Sequence, residues 1–261
     1  MAHLLGMNAL VILVLMTGLW LFSVWKRDAS IVDPWWSVGF WCVYTRTVLD
    51  TGLTPGKAVL WGWVTLWAWR LAVHLWLRAR GKPEDPRYQA FRHRFGPERY
   101  WWISFFQVFV LQGLLMWVIS MPLQLAAAAG PPDGMAWNDW VGAVLIAAGT
   151  GFEAVGDWQL TRFRNDAAMK GRVLDTGLWR YTRHPNYFGE AVLWWGFWLC
   201  SLDVPWGLAT VFSPLLMTFL LVRVSGVTLL EAQLRRTRPG YEEYIQRTST
   251  FIPRPPRKSG P

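Results

Sequence analysis

The sequence predicts an all-α integral membrane protein of seven transmembrane helices, with the N-terminus outside and the C-terminus in the cytoplasm. Three observations predict it. Hydrophobic residues fill 53% of the 261 positions and charged residues 16%, against about 25% charged in soluble globular domains. Tryptophan occurs 21 times, and tryptophan gathers at membrane–water interfaces. The net charge of +9 is concentrated, because 22 of the 26 lysines and arginines fall in four short segments. Such a composition excludes a disordered, collagen-like or disulfide-scaffold chain. Cys42 and Cys200 lie in apolar runs without CxxC or Cys/His spacing, so they carry no redox or zinc signal.

A bilayer helix needs about 20 mostly apolar residues. The first candidate, Leu4–Trp25, holds no charge and is followed by Lys26 and Arg27. It is too long for a removable signal peptide and has neither a basic leader nor a cleavage site. Ile31–Leu49 and Ala58–Leu77 follow, parted by the turn Thr54-Pro55-Gly56. Trp101–Ala129 and Trp137–Trp158 flank Pro131-Pro132-Asp133-Gly134, a second turn signal, and the short Tyr187–Leu202 precedes Val204–Leu230. No internal repeat or soluble domain interrupts residues 1–252, which read as one membrane domain. Residues 253–261 read as a disordered basic, proline-rich tail. The segments after spans one, three, five and seven hold 2, 7, 6 and 7 of the lysines and arginines. The positive-inside rule sets the orientation from that asymmetry. The charge is then accounted for by topology and anionic inner-leaflet lipid, so lipid is an expected partner and nucleic acid is not.

Ionisable side chains within a span cost about 2.5–3.5 kcal/mol on insertion scales, so each asks for a reason. Asp33, Arg70, His74, Glu153, Asp157, Glu190, Arg223 and Glu231 fall in or beside the spans, all toward the cytoplasmic ends. That bias points to one polar cavity open to the cytosol, with snorkelling or helix–helix polar contacts as the competing reading. Glu153, Asp157 and Arg164 lie within about 40° of one another on a helix, and Arg70, His74 and Arg78 form a similar stripe. Carboxylate and guanidinium stripes suit a large ligand carrying hydroxyls and phosphates, and they also suit plain interhelical ion pairs. The densest feature runs from Gly171 to Glu190: Arg172, Arg180 and Arg183 are placed to meet phosphate, and a helix starting near Asn186 offers free N–H groups. Asn186 and Glu190 share a helix face. Gly149-Thr150-Gly151 followed by Gly156 misses the GxGxxG spacing and follows no strand. His3 and His93 read as surface residues.

Arg183-His-Pro-Asn-Tyr-Phe-Gly-Glu190, together with Gly177-Leu-Trp-Arg-Tyr181 and Tyr244-Ile-Gln-Arg-Thr-Ser-Thr-Phe-Ile-Pro253, carries a resemblance. From about Gly151 to Pro253 the chain resembles the steroid 5α-reductase family, in particular its bacterial DUF1295 group. Arg80-Gly-Lys-Pro83 is similar to a basic turn of that family. The resemblance implies a monomeric, multi-pass protein of the bacterial inner membrane that uses NADPH to deliver hydride to C5 of a Δ4-3-ketosteroid or a similar enone lipid. It implies that Asp157, Arg164, Arg172, Asn186 and Glu190 contact NADPH, with Glu153, His184 and Tyr187 beside them and Arg80 and Lys82 near the phosphates. The family's catalytic tyrosine aligns with Ala68, a departure from its pattern. Asp33 is the expected acidic donor to the carbonyl, kept protonated by apolar surroundings, with Arg70, His74 and Tyr187 as further catalytic candidates. Two other functions compete. The His-Pro-x-Tyr-x-Gly stretch is shared with membrane methyltransferases resembling isoprenylcysteine carboxyl methyltransferase, whose cofactor S-adenosylmethionine lacks the phosphates that a basic cluster serves. A non-enzymatic sterol-binding protein would need no such cluster.

Overall fold

A computed structural model describes residues 1–129, 134–224 and 227–257. Their regular structure is helical, apart from an isolated bridge between Thr182 and Ser249. The chain gathers into two units, residues 1–136 with 200–210 and residues 137–199 with 211 onward.

In the first unit α1 (Ala2–Lys26) buries a single stripe, Asn8, Ile12, Met16, Leu19 and Ser23, at helical spacing. It stops where Arg27 turns left-handed (φ 54°) and returns its N–H to the last carbonyls. The second expected span begins late. Asp28 accepts the Ser30 N–H at 2.9 Å, a 3-10 turn covers Ala29–Val32, and α2 (Trp35–Thr51) starts only after Pro34. Proline lacks an N–H and has its φ preset, so it opens helices rather than continuing them. Asp33, expected on the second helix, therefore sits in the turn before it. Thr54 caps α3 (Pro55–Ala79) and Pro55 is its first residue.

The basic segment after α3 contains a helix that an apolarity scan passes over, α4 (Pro86–Phe95). Asp85 caps it by accepting the Arg87 N–H at 3.0 Å. Gly96 (φ 77°) reverses the chain into α5 (Pro97–Ser104), which continues through a π-helical turn, Phe105–Val110, into α6 (Leu111–Ile119). The expected span Trp101–Ala129 is thus broken near Ser120, and α7 (Met121–Ala129) follows with Pro122 in its first turn. Deep polar contacts tie three of these helices: Asn8 Nδ2 donates to Thr47 Oγ1 and Gln124 Oε1, each at 2.9 Å.

Among the described residues, two helical stretches are long and apolar enough to cross a membrane, Ala2–Lys26 with mean hydropathy 2.2 and Pro97–Ile119 with 1.8. Most of their apolar surface points outward; Leu10, Leu13, Val14, Leu21 and Phe22 of α1 are exposed.

The second unit comprises α8 (Trp137–Asn165), α9 (Pro185–Leu199), α10 (Phe212–Phe219), α11 (Val227–Thr237) and α12 (Tyr241–Arg247). The seventh expected span is interrupted by a 3-10 turn before α10 and a π-helical turn, Leu220–Val224, after it. The expected turn signal over residues 131–133 and residues 258–261 of the tail lie outside the described residues. Residues 253–257 of that tail are tied down: Arg254 N donates to Tyr181 O at 3.0 Å and Arg257 N to Arg247 O at 2.9 Å.

Gly142, Gly149 and Gly156 on α8 and Gly189 and Gly196 on α9 recur every seven residues, and they set how closely these helices approach. A Cβ on Gly149 would lie 2.6 Å from Gly189 O, one on Gly189 2.5 Å from Glu153 N, and one on Gly196 2.7 Å from Gly142 O. Backbone meets backbone, as small residues permit between helices. Of the glycines that narrowly miss a dinucleotide fingerprint, Gly149 and Gly156 thus serve helix packing and Gly151 does not. Gly189→Ala is expected to lower the melting midpoint in detergent, by about 1–3 kcal/mol of overpacking. Gly151→Ala, with nothing within 4 Å of its Cβ, is expected to leave it unchanged. Equal midpoints for the two variants would refute this packing account.

Candidate functional site

The expected site residues divide between the units. Asp33, Arg70, His74, Arg80 and Lys82 belong to the first; Glu153, Asp157, Arg164, Arg172, His184, Asn186, Tyr187 and Glu190 belong to the second.

In the second unit, Gly156 brings α8 against the start of α9, where a Cβ would lie 3.1 Å from Asn186 N. The same approach lets Asn186 Nδ2 donate to Asp157 Oδ1 at 3.2 Å. Glu190, one turn along α9, is buried and accepts from Trp194 Nε1 at 3.0 Å. Glu153 is buried on α8 one turn before Asp157. Arg164 near the end of α8 and Arg172 and Arg180 in the following loop are exposed. The loop is fixed from below: Gln159 Oε1 accepts the Leu178 N–H at 3.0 Å, Trp179 Nε1 donates to Gly156 O at 3.1 Å, and Tyr244 OH donates to Trp179 O at 2.5 Å. Carboxylates, an amide and a helix N-terminus therefore share one end of α8 and α9, with exposed guanidinium groups on the adjoining chain.

Arg183 corrects the sequence reading. It is 5% exposed and spends five donors internally. Nε and Nη2 donate to Glu231 Oε1 and Oε2 at 2.8 and 3.2 Å, Nη1 to Thr248 O and Ile245 O at 2.5 and 3.2 Å, and Nη2 to Thr250 Oγ1 at 2.7 Å. A guanidinium has five N–H groups, so none remains for phosphate. Arg183 N also donates to Ser249 O at 2.9 Å. The result is a strap in which the chain after α12 is laced to residues 181–183. Glu231 accepts from the same arginine and lies 3.0 Å from His184 Nε2. Burial opposes its charge, but the hydrogen bonds from His184 and Arg183 win and hold the carboxyl down to about 2. Burial pushes the His184 imidazole below its ordinary 6.5.

In the first unit the sequence reading missed the partners of Asp33. Both its oxygens accept: Arg87 Nη2 donates to Oδ2 at 2.7 Å and Tyr88 OH to Oδ1 at 2.6 Å. Both Asp33 oxygens are thus engaged as acceptors in the structure. The hydroxyl hydrogen at this point belongs to Tyr88. Its oxygen accepts from Gln112 Nε2 at 3.2 Å, and Gln112 Oε1 accepts from Trp36 Nε1 at 2.5 Å. Burial and the Asp33 charge hold the Tyr88 phenol well above its usual range, so it keeps its proton. Glu84 fastens the same segment, accepting the Ala29 N–H at 2.7 Å and a two-pronged Arg92 contact at 2.9 and 3.0 Å. The signal that could have found this cluster was Glu84-Asp-Pro-Arg-Tyr88, a capped proline start crowded with hydrogen-bonding groups. Arg70 and His74 lie one turn apart on α3, half-buried, while Arg80 and Lys82 are exposed beyond its end. Ala68 is fully buried and its carbonyl accepts from Ser37 Oγ at 2.8 Å.

Comparison with known proteins places these groups in a lineage. The family model described as protein of unknown function (DUF1295) matches residues 19–248. The uncharacterized protein C594.04c of Schizosaccharomyces pombe is 25% identical over an alignment covering 90% of this chain and 76% of that protein. No solved structure matches the chain. The chain belongs to the DUF1295 family.

Proposed function

We propose that this member of the DUF1295 family is a membrane-embedded, NADPH-dependent reductase of an enone lipid such as a Δ4-3-ketosteroid. The observation that carries the reading is the Asp157–Asn186 pair at the start of α9, flanked by buried Glu190 and by exposed Arg164, Arg172 and Arg180. Carboxylates and an amide suit hydroxyl and carboxamide groups, guanidinium groups suit phosphate, and the N-terminus of α9 favours negative charge. S-adenosylmethionine, the cofactor of the methyltransferase alternative, has no phosphate for a basic cluster to meet. The outward apolar faces of α1 and of Pro97–Ile119 call for lipid around them. The charge asymmetry supports seven crossings, with the C-terminus in the cytoplasm of a bacterial inner membrane.

When bound, NADPH supplies a hydride to the β carbon of the enone. The chain's own contribution is a donor to the carbonyl oxygen, where negative charge develops. Tyr88 takes that role in place of Asp33. Its phenol keeps its proton, Gln112 holds its oxygen, and its one O–H, given to Asp33 in the structure, must turn to the substrate oxygen in this role. Asp33 stays paired to Arg87 if a substrate oxygen draws the Tyr88 proton away.

Melting in detergent tests the cofactor. Stabilisation follows RT ln(1 + [L]/Kd), so NADPH at about 100 times its Kd adds roughly 2.7 kcal/mol. NADPH is expected to raise the midpoint and S-adenosylmethionine to leave it unchanged. The reverse result would establish the methyltransferase alternative, and no shift with either would favour a lipid-binding role.

A further inference from the structure

His184 is 1% exposed, immediately precedes α9, and its Nδ1 has no hydrogen-bond partner among the described residues. Everything else about the ring is fixed. It lies parallel to the Tyr187 ring (1°) at 5.5 Å between centroids, and Nε2 faces Glu231 Oε1 at 3.0 Å. The Glu231 carboxylate, which also receives Arg183, is an acceptor with nothing to donate. The proton shared with it must therefore sit on Nε2. A neutral imidazole then carries a bare lone pair on Nδ1. A buried acceptor left without a donor is costly, and such a group in a native structure asks for an explanation. Asn186, two positions along the chain, is the residue of the proposed cofactor site that pairs with Asp157.

We propose that His184 Nδ1 is the buried acceptor for an N–H or O–H group of the bound dinucleotide, and that Glu231 is the positioning residue that fixes the required tautomer. The inference rests on the NADPH reading above and deepens it. It assigns a role to Glu231, and it explains why Arg183 is spent internally: the guanidinium anchors the carboxylate that orients the histidine.

Two near-isosteres separate ligand binding from a structural role. In His184→Asn the side-chain oxygen takes the place of Nδ1 and the contact with Glu231 is lost. In His184→Gln the amide reaches Glu231 and the Nδ1 acceptor is lost. NADPH dissociation constants measured by calorimetry in detergent are expected to stay within about threefold of wild type for His184→Asn. For His184→Gln they are expected to weaken by about tenfold, as loss of one hydrogen bond implies. Melting midpoints without ligand should run the other way, with Gln the more stable. A Gln variant that binds as wild type while Asn fails would make His184 structural and overturn the proposal. Equal binding by all three proteins would overturn it while leaving the reductase reading intact, and a folded wild type that binds no NADPH would end both. Parallel titration with 2′,5′-ADP locates the donor: a defect shared with that fragment places it on the adenosine half, and a defect with NADPH alone places it on the nicotinamide half. Ring-15N histidine spectra of the wild-type protein need no variant to fold. The His184 Nδ1 signal is expected to read unprotonated and to shift when NADPH is added; a protonated Nδ1 in the free protein would refute the assignment.

Discussion

Tyr88→Phe is expected to lower kcat for an enone lipid by roughly 10²–10³, the loss seen when one donor to a developing oxyanion is removed. NADPH affinity should not change, because Tyr88 makes its bonds to Asp33 and Gln112 and is proposed to act on the substrate oxygen alone. The substitution keeps the ring and its burial, so folding should lose about one hydrogen bond's worth of stability, roughly 0.5–1.5 kcal/mol. Asp33→Asn is the companion. An amide oxygen still accepts from Tyr88, but the ion pair with Arg87 at 2.7 Å is gone, so turnover should fall by less than in Tyr88→Phe. If the phenylalanine variant reduces a Δ4-3-ketosteroid as fast as wild type, the donor lies elsewhere. Arg70 and His74 on α3 then become the residues to test.

Arg183→Met should be the most destabilising single change in the second unit. It leaves the Glu231 carboxylate buried without its guanidinium and frees the carbonyls of Ile245 and Thr248. Breaking a buried pair from one side costs about 3–5 kcal/mol. The double variant Arg183→Met, Glu231→Leu should recover part of that loss, since the stranded charge is removed as well. A double variant no more stable than Arg183→Met would show that the strap contacts, and not the ion pair, dominate. Acid should act on the same cluster. Glu231 is held at about 2 against an ordinary 4.5, so its contribution is complete above 4.5 and is lost as pH falls toward 2. His184 is kept neutral below its ordinary 6.5, so its share is likewise present above 6.5 and lost on acidification. The wild-type melting midpoint should therefore begin to fall below pH 6.5 through His184 and fall further below pH 4.5 through Glu231, and Glu231→Leu should abolish the second loss, below pH 4.5.

What the sequence determined by itself are the properties that neighbouring residues decide. Apolar runs and their breaks specify an all-α chain, and Pro55, Pro86 and Pro185 mark helix starts because each ring presets φ where no N–H is needed. The sevenfold spacing of glycines along α8 and α9 is likewise written in the chain. Helix α4 was harder to read because it is polar, and apolarity is the signal that reveals a span. The fourth and seventh spans looked continuous because a π-helical turn and a break at Ser120 leave composition unchanged. Only the tertiary structure decided which polar groups are spent on one another. Asp33 looked like a solitary acid in apolar surroundings until Tyr88, 55 residues away, closed on it. Arg183 looked like a phosphate ligand until Glu231, 48 residues on, took its fork. A side chain's type sets what bonds it makes. Whether it has bonds left for a ligand depends on partners that only folding brings within 3 Å or so, and that is why the chemistry of this chain was legible as a list of residues before it was legible as a site.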